Sequence, residues 1–292
     1  MKRANISICG LYLSFTKASQ ELFVSQPAIT KHIQELEATY QTRLFDRQGS
    51  KISLTESGRL LLEHCERILE DYKRLEYEMH LLHNEYIGEL KLGASTTIAQ
   101  YVLPPLLGSF IGKFPQVNLS LLNGNSREIE AALQEHRIDL GLVEGVFRLP
   151  NLKYTTFLED ELVAVVHSKS RLQLPEEITP QDLPAIPLVL RERGSGTLDV
   201  IERSLQKHGV KLSSLHVLMY LGSTESIKLF LENSDCMGIV SIRSICKELA
   251  AGTFRVVEIK DMPMLRDFCF VQLQGQEGGL SQAFMNYMFM SR

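Results

Sequence analysis

Apolar residues recur at two different periods along this chain, and the change of period divides it. Between Thr16 and Leu36 they fall at helical spacing. Ala18 and Leu22 are four apart, Phe23-Val24 interrupts, and Ile29, Ile33 and Leu36 resume one inward stripe. Ser25 is a good N-cap for the second helix, and Pro27 is tolerated in its first turn. The outward residues are Gln26, Thr30, Lys31 and Gln34, types that seek base edges and phosphates but that any solvated helix face also carries. Arg43 to Arg47, Gln48-Gly49-Ser50 and Lys51 to Leu54 then read as a short hairpin with glycine at the turn and three flanking cations. Two helices followed by a basic hairpin predict a winged helix. The second helix would enter the major groove of double-stranded DNA, and the wing would touch phosphates.

Thr55 caps a long helix whose apolar positions are Leu61, Cys65, Ile68, Tyr72, Leu75, Met79, Leu82 and Tyr86. The gaps alternate between four and three, a heptad seam that pairs one helix with another. At 1.5 Å per residue the helix is on the order of 38 Å long. Such a seam predicts a dimer, which sets two recognition helices on one duplex. Packing on the chain's own downstream domain is the alternative. His80 and His83 lie off the seam and read as solvated.

From Gly88 the period changes to strand–turn–helix. GELKLGAS leads into TTIAQYVLPPLLGSFIGKF, VNLSLLNGNS into REIEAALQEH, and IDLGLVEG follows as a third strand. LVAVVHS, IPLVLRERGSGT, LMYLGSTESIKLFLENS, CMGIVSI, FRVVEI and DFCFVQLQ continue the plan, with a last helix near LSQAFMNYMFM. These βα units predict a largely parallel, doubly wound sheet in two lobes joined by crossing strands. The fold class is thus multi-domain α/β. A winged helix-turn-helix occupies residues 1–58 and a linker dimerisation helix 59–88. A two-lobed, periplasmic-binding-protein-like effector domain occupies 89–292, with lobe I at about 89–165 and 268–292 and lobe II at about 166–267.

Charge sharpens this division. Residues 1–58 hold seven Lys and Arg against five Asp and Glu, so a net charge of −4 leaves −6 for the rest of the 292 residues. The positive end is the predicted DNA-binding end. The five cysteines, Cys9, Cys65, Cys236, Cys246 and Cys269, form no CxxC pair or zinc spacing, as expected of reduced thiols. No apolar run reaches the ~18 residues of a membrane span. MKRANISICGLYLSF has a basic start but holds Gly10 and lacks a small-x-small cleavage site. A cytoplasmic location is expected, with no membrane partner.

SFTKASQELFVSQPAITKHIQELEATYQTRLFDR (Ser14 to Arg47) and KISLTESG (Lys51 to Gly58) resemble the LysR-type family of bacterial transcriptional regulators. GASTTIAQYVLPPLL, DLGLVEG, RERGSGT and LGSTESIK are similar to that family's effector domain, most of all to the branch that regulates sulfur assimilation and carbon fixation. The resemblance covers nearly the whole chain. It implies a ligand-controlled, sequence-specific DNA-binding regulator that works as a homotetramer, a dimer of dimers, with RNA polymerase as a further partner. It implies that Gln26, Pro27, Thr30, Lys31 and Gln34 face the groove, and that Arg43, Arg47, Lys51 and Thr55 hold the DNA backbone. The family opens with an amphipathic helix. Here MKRANISICGLYL reads closer to alternation.

Four strand-to-helix corners carry the candidate effector residues: Ser95, Thr96 and Thr97; Asn125; Ser195, Gly196 and Thr197; Ser223 and Thr224. Hydroxyls and free N–H groups at such corners suit a small anion, and the same residues are also ordinary helix caps. Glu144 ends a strand at the same rim, where it would bind an amine or neutralise Arg191 or Arg193. The resemblance implies an inorganic sulfur anion or a small organic acid as effector, with no cofactor and no metal. One branch of the family carries a peroxide-sensing disulfide, but Cys236 and Cys246 read here as packed thiols. No HExxH, GxSxG, Walker or GxGxxG motif occurs, so catalysis is not expected. A stand-alone small-molecule binding protein and an α/β enzyme are the rival readings.

Overall fold

The computed structural model describes residues 14–21, 24–48, 51–81, 86–275 and 278–291. The chain divides into two compact units, Met1–Asn84 and Glu85–Arg292. Residues 1–13, Leu22-Phe23, Gly49-Ser50, Leu82 and His83 lie outside the described residues, as do the side chains of Arg47, Lys51 and His80.

In the first unit, α1 (Phe15–Glu21) and α2 (Gln26–Tyr40) form the helix pair, and β1 (Phe45–Gln48) and β2 (Lys51–Leu54) the antiparallel hairpin. Phe15, Ala18, Ile29, Ile33, Leu44, Phe45 and Cys65 make its core. Ala18, Ile29 and Ile33 belong to the stripe that the helical spacing predicts, and Leu36 packs against the cluster. Ser25 occupies the N-cap position of α2 without a side-chain cap bond, and Pro27 sits in the first turn. The Glu37 carboxylate accepts from the Leu44 N–H at 2.8 Å, which sets where the chain turns into the wing. Thr55 starts α3 (Glu56–Leu81): its hydroxyl accepts from the Gly58 N–H at 3.0 Å and donates to the Arg43 carbonyl at 2.6 Å. Gly58 is required here because a Cβ would overlap the Leu44 carbonyl oxygen. Helix and wing are thereby locked together at close range.

The first turns of α3 belong to this core, with Cys65 buried and Leu61 packed against it, which corrects the predicted seam at its start, since a side chain enclosed by its own unit has no surface left for a partner helix. Further on, Ile68, Tyr72, Leu75 and Met79 are exposed along the same face. Tyr86 corrects the predicted seam. It lies beyond the helix, and its ring packs 4.5 Å from that of Phe114. A heptad count continues through a residue whose tertiary partner has already changed.

In the second unit the elements run β3 (Gly88–Ser95), a π-helical segment (Ile98–Val102), α4 (Leu103–Lys113), β4 (Val117–Gly124), α5 (Ser126–Gln134), β5 (Leu140–Glu144) and the long β6 (Leu152–His167). Then come β7 (Glu177–Ile178), β8 (Leu188–Arg191), α6 (Gly196–Lys207), β9 (Val217–Leu221), α7 (Thr224–Glu232) and β10 (Met237–Ser241). The unit ends with α8 (Cys246–Ala250), β11 (Phe254–Ile259), β12 (Met264–Leu273) and α9 (Gly279–Met290). One sheet runs β4-β3-β5-β12-β6-β10-β8-β9, with β11 on β6 and β7 on β11. Its two ends, β4-β3-β5 and β10-β8-β9, are parallel, as βα units require. The middle is not. β12 pairs antiparallel with β5 and β6, and β10 and β11 pair antiparallel with β6. The expectation of a largely parallel sheet therefore holds only within each lobe, because β6 and β12 cross between lobes in opposite directions.

Separate cores serve the lobes. Ile129, Leu133, Ile138, Val143, Leu152 and Val271 cluster in one. Leu188, Leu190, Ile201, Leu205, Met237 and Ile239 are central to the other. No helix among the described residues is long and apolar enough to cross a membrane.

Candidate functional site

Two faces carry the predicted chemistry, one in each unit. In the first, Ile29 and Ile33 anchor α2 in the core, so Gln26, Pro27, Lys31 and Gln34 stand exposed on its other side. Thr30 is half-buried, and its hydroxyl donates to the Gln26 carbonyl at 3.1 Å. Arg43 is exposed at the entry to the wing. The Thr55 hydroxyl is already engaged by Arg43 and Gly58, which makes it a structural cap first.

In the second unit the predicted corners lie at the carboxyl ends of strands, where open α/β sheets hold ligands. The two lobes meet there. The Arg127 N–H donates to the Gly194 carbonyl across them at 3.3 Å, and within the first lobe Ser126 Oγ donates to the Glu144 carbonyl at 2.8 Å. Gly196 lies so close to Glu144 that a Cβ on it would overlap the Glu144 carbonyl oxygen and stand 2.9 Å from its Cγ.

Three of the corners act as caps. Asn125 forms a full capping box with Glu128, Ser195 accepts from the Thr197 N–H, and Ser223 accepts from the Ser226 N–H. Thr224 is buried. Thr96 and Thr97 differ: both are buried, and neither hydroxyl has a partner.

The Glu144 carboxylate accepts from Ser95 and faces Arg266 Nη1 at 3.5 Å. This corrects the expectation that Glu144 would neutralise Arg191 or Arg193. Arg191 instead forks onto its neighbour Glu192 at 2.8 and 3.0 Å.

Arg266 is the residue that sequence reasoning missed. It sits on β12 directly opposite Asp160 of β6. Its Nε donates to Asp160 Oδ2 at 2.8 Å and its Nη1 to Thr197 Oγ1 at 2.8 Å. Asp160 also accepts from Ser241 Oγ at 2.7 Å. Arg266 thus touches both lobes and the crossing strand between them. The available signal was a lone arginine inside the apolar run MLRDFCFVQL. Four buried polar atoms of this region have no partner: Thr96 Oγ1, Thr97 Oγ1, Arg191 Nη1 and Arg266 Nη2.

A second contact between the lobes lies beside it. Tyr101, on the π-helical segment, donates to the Glu225 carboxylate on α7. Burial first, then this bond, holds the phenol protonated far above its ordinary range. Lys228 joins Glu225 at 2.8 Å, Glu248 at 2.6 Å and the Ser244 carbonyl at 3.1 Å. Burial opposes its charge, but the bonds to Glu225 and Glu248 outweigh it and raise the ammonium pKa.

Among the described residues, Cys65, Cys236, Cys246 and Cys269 form no disulfide. Burial, then Asp235, pushes Cys236 up to about 11. Cys246 corrects the packed-thiol reading, because it is exposed on the short α8. No group of three or more His, Cys, Asp or Glu gathers into a metal site among the described residues.

Residues 83–289 match the LysR substrate binding domain, and residues 11–59 match the bacterial regulatory helix-turn-helix protein of the lysR family. The chain belongs to the LysR family of transcriptional regulators. This LysR-type regulator is 29% identical over 258 residues to the HTH-type transcriptional regulator CysL of Bacillus subtilis, covering 88% of this chain and 85% of CysL. It is 33% identical over 256 residues to a probable RuBisCO transcriptional regulator of Cyanidioschyzon merolae, covering 87% and 84% of the two chains. Its effector-binding domain is similar to the regulatory domain of CcmR from Synechocystis PCC6803, solved in complex with 2-PG. The TM-score is 0.63 at 28% identity, over 70% of this chain and 97% of that one.

Proposed function

We propose that this regulator reads DNA with the outer face of α2 and responds to a small anion held among Thr96, Thr97, Arg191 and Arg266. The observation that carries the effector reading is the set of four buried polar atoms without partners, two of them guanidinium N–H groups that can only donate. An unpaired buried group costs ~1–3 kcal/mol, so a ligand that pairs several of them at once gains that much at each. Because the donors come from the corner after β3 and from β8 and β12, an anion touching them favours the closed lobes through its differential affinity for that state. CcmR, which holds 2-PG in its regulatory domain, is a relative with the same plan.

Self-association is supported by the exposed Ile68, Tyr72, Leu75 and Met79 along α3. The exposed Leu121, Leu122, Leu218, Met219 and Tyr220 on the edge strands β4 and β9 support it too. We read the regulator as cytoplasmic and without catalytic activity.

Thr97→Val keeps the side-chain shape and removes the hydroxyl. Affinity for the anion should fall about tenfold or more, the worth of one hydrogen bond to a charged group. Calorimetry decides this, and unchanged binding would place the site elsewhere. On the DNA face, Gln34→Ala should relax preference at one base pair by ~1–3 kcal/mol. Arg43→Ala should weaken all sequences alike and flatten the salt dependence. Gel-shift titrations on a site and its single-base variants separate the two. One shared selectivity profile would refute the assignment of roles.

A further inference from the structure

We propose that Glu248 is a second anchor of the effector, and that the effector is a small organic acid with a hydroxyl or ammonium group at its other end. This rests on the reading of the crevice as an anion site and narrows it against bare inorganic oxyanions. The kind of atom left unpaired, place by place, carries the inference. Arg191 Nη1 and Arg266 Nη2 only donate, and the Thr96 and Thr97 hydroxyls are free to donate. At Glu248 the unpaired buried atom is Oε2, which as a carboxylate oxygen only accepts. A sulfate or sulfite dianion presents acceptors in every direction and leaves that oxygen unmet.

Tyr101 ties Glu248 to the donors. It follows Thr97 by four residues, and its ring lies 5.4 Å from Lys228 Nζ, which Glu248 meets at 2.6 Å. Arg191 and Glu248 both act on the Tyr101 hydroxyl, one lowering and one raising its pKa, so both stand within electrostatic reach of it. The Glu248 side chain has nothing else to hold with Oε2, since its other oxygen already serves Lys228.

The charges point the same way. Arg191, Lys228, Arg243 and Arg266 stand against Glu144, Asp160, Glu192, Glu225 and Glu248, four positive groups against five negative and hence an excess of one negative charge. Adding an inorganic dianion to such surroundings is unfavourable at the low effective dielectric of a buried site. A hydroxy acid adds one negative charge, and an amino acid adds none.

The test uses the full chain, with thermal shift and calorimetry. The probes are matched acids of two to four carbons: acetate, glycolate and glycine; propionate, 3-hydroxypropionate and β-alanine; butyrate, 4-hydroxybutyrate and 4-aminobutyrate; and sodium sulfate and sulfite. At one chain length the hydroxy or amino acid should bind about tenfold or more tightly than the plain acid, as one hydrogen bond to a charged group requires. The hydroxy and amino arms show which donor it is. Glu248→Gln should level the amino preference and Glu248→Ala the hydroxyl preference, while the plain acid keeps its wild-type affinity. Melting of the ligand-free variants checks folding, and Glu248→Met, which fills the same space without an acceptor, reads the hydroxyl preference if Glu248→Ala does not fold. An amino preference that survives in Glu248→Gln, or a hydroxyl preference that survives in Glu248→Ala, overturns the anchor. Sulfate or sulfite binding more tightly than every two-ended acid overturns the ligand class but keeps the anion reading. Failure of every anion to bind overturns both.

Discussion

Arg266→Met should melt the effector-binding unit roughly 10 °C below wild type. The Arg266 and Asp160 side chains are both 0% exposed, and Arg266 is the closest cation to Asp160 and the cation facing Glu144. Removing one partner of a buried pair leaves an uncompensated charge and costs ~3–5 kcal/mol. A unit of about 200 residues loses ~2–4 °C for each kcal/mol. Asp160 keeps Ser241 and a longer contact with Arg243 at 3.6 Å, which limits the loss. Adding Asp160→Asn to Arg266→Met removes the orphaned charge and should recover part of the melting temperature. Arg266→Lys should fall between the two, because a single ammonium cannot hold Asp160 and Thr197 as the planar fork does. Calorimetric scans of the full chain measure all of these. A loss under 2 °C in Arg266→Met, or no recovery in the double variant, would show that Arg266 is not the keystone of the crossing strands.

Gly196→Ala should leave the protein folded and weaken the anion that wild type binds by about ten- to hundredfold. The new methyl would overlap the Glu144 carbonyl oxygen, a backbone atom that cannot rotate away. Gly145 beside it has φ +129°, and a Cβ on it would stand 3.2 Å from the Gly196 Cα. The two lobes therefore touch backbone to backbone here, and neither side has room to give. Overpacking of ~1–3 kcal/mol falls on the closed arrangement alone, because opening the lobes relieves it. Converted at 1.4 kcal/mol per decade, that is the stated loss of affinity. Calorimetry with the variant and wild type checks it. Wild-type affinity in Gly196→Ala would mean that the ligand does not need this contact.

The winged helix was legible because its contacts are local. Ala18, Ile29 and Ile33 fall on one helical stripe, and Thr55 caps the helix that it directly precedes. The corners at Asn125, Ser195 and Ser223 were legible for the same reason, since a cap bonds an N–H two or three residues away.

What was not legible depends on distant partners. Arg266 meets Asp160 across 106 residues, and an apolar run does not say which strand will lie opposite. Nor does it distinguish parallel from antiparallel neighbours, so the antiparallel centre of the sheet stayed hidden among βα units. Glu144 was seen at the rim, but its cation comes from β12 rather than from the nearby Arg191 and Arg193. Tyr86 kept the heptad spacing while its ring had turned to Phe114.

The two strands that cross between the lobes are hydrogen-bonded to each other, from Met264 opposite Leu162 to Leu273 opposite Leu152. A joint made this way is a leaf spring, not a pin. It bends, with a restoring force, but it cannot swivel freely. Its register slips between Phe268 and Cys269, two residues beyond Arg266, and flexure concentrates where pairing is interrupted. The lobes therefore have a preferred gap of their own, and a ligand pulls against it.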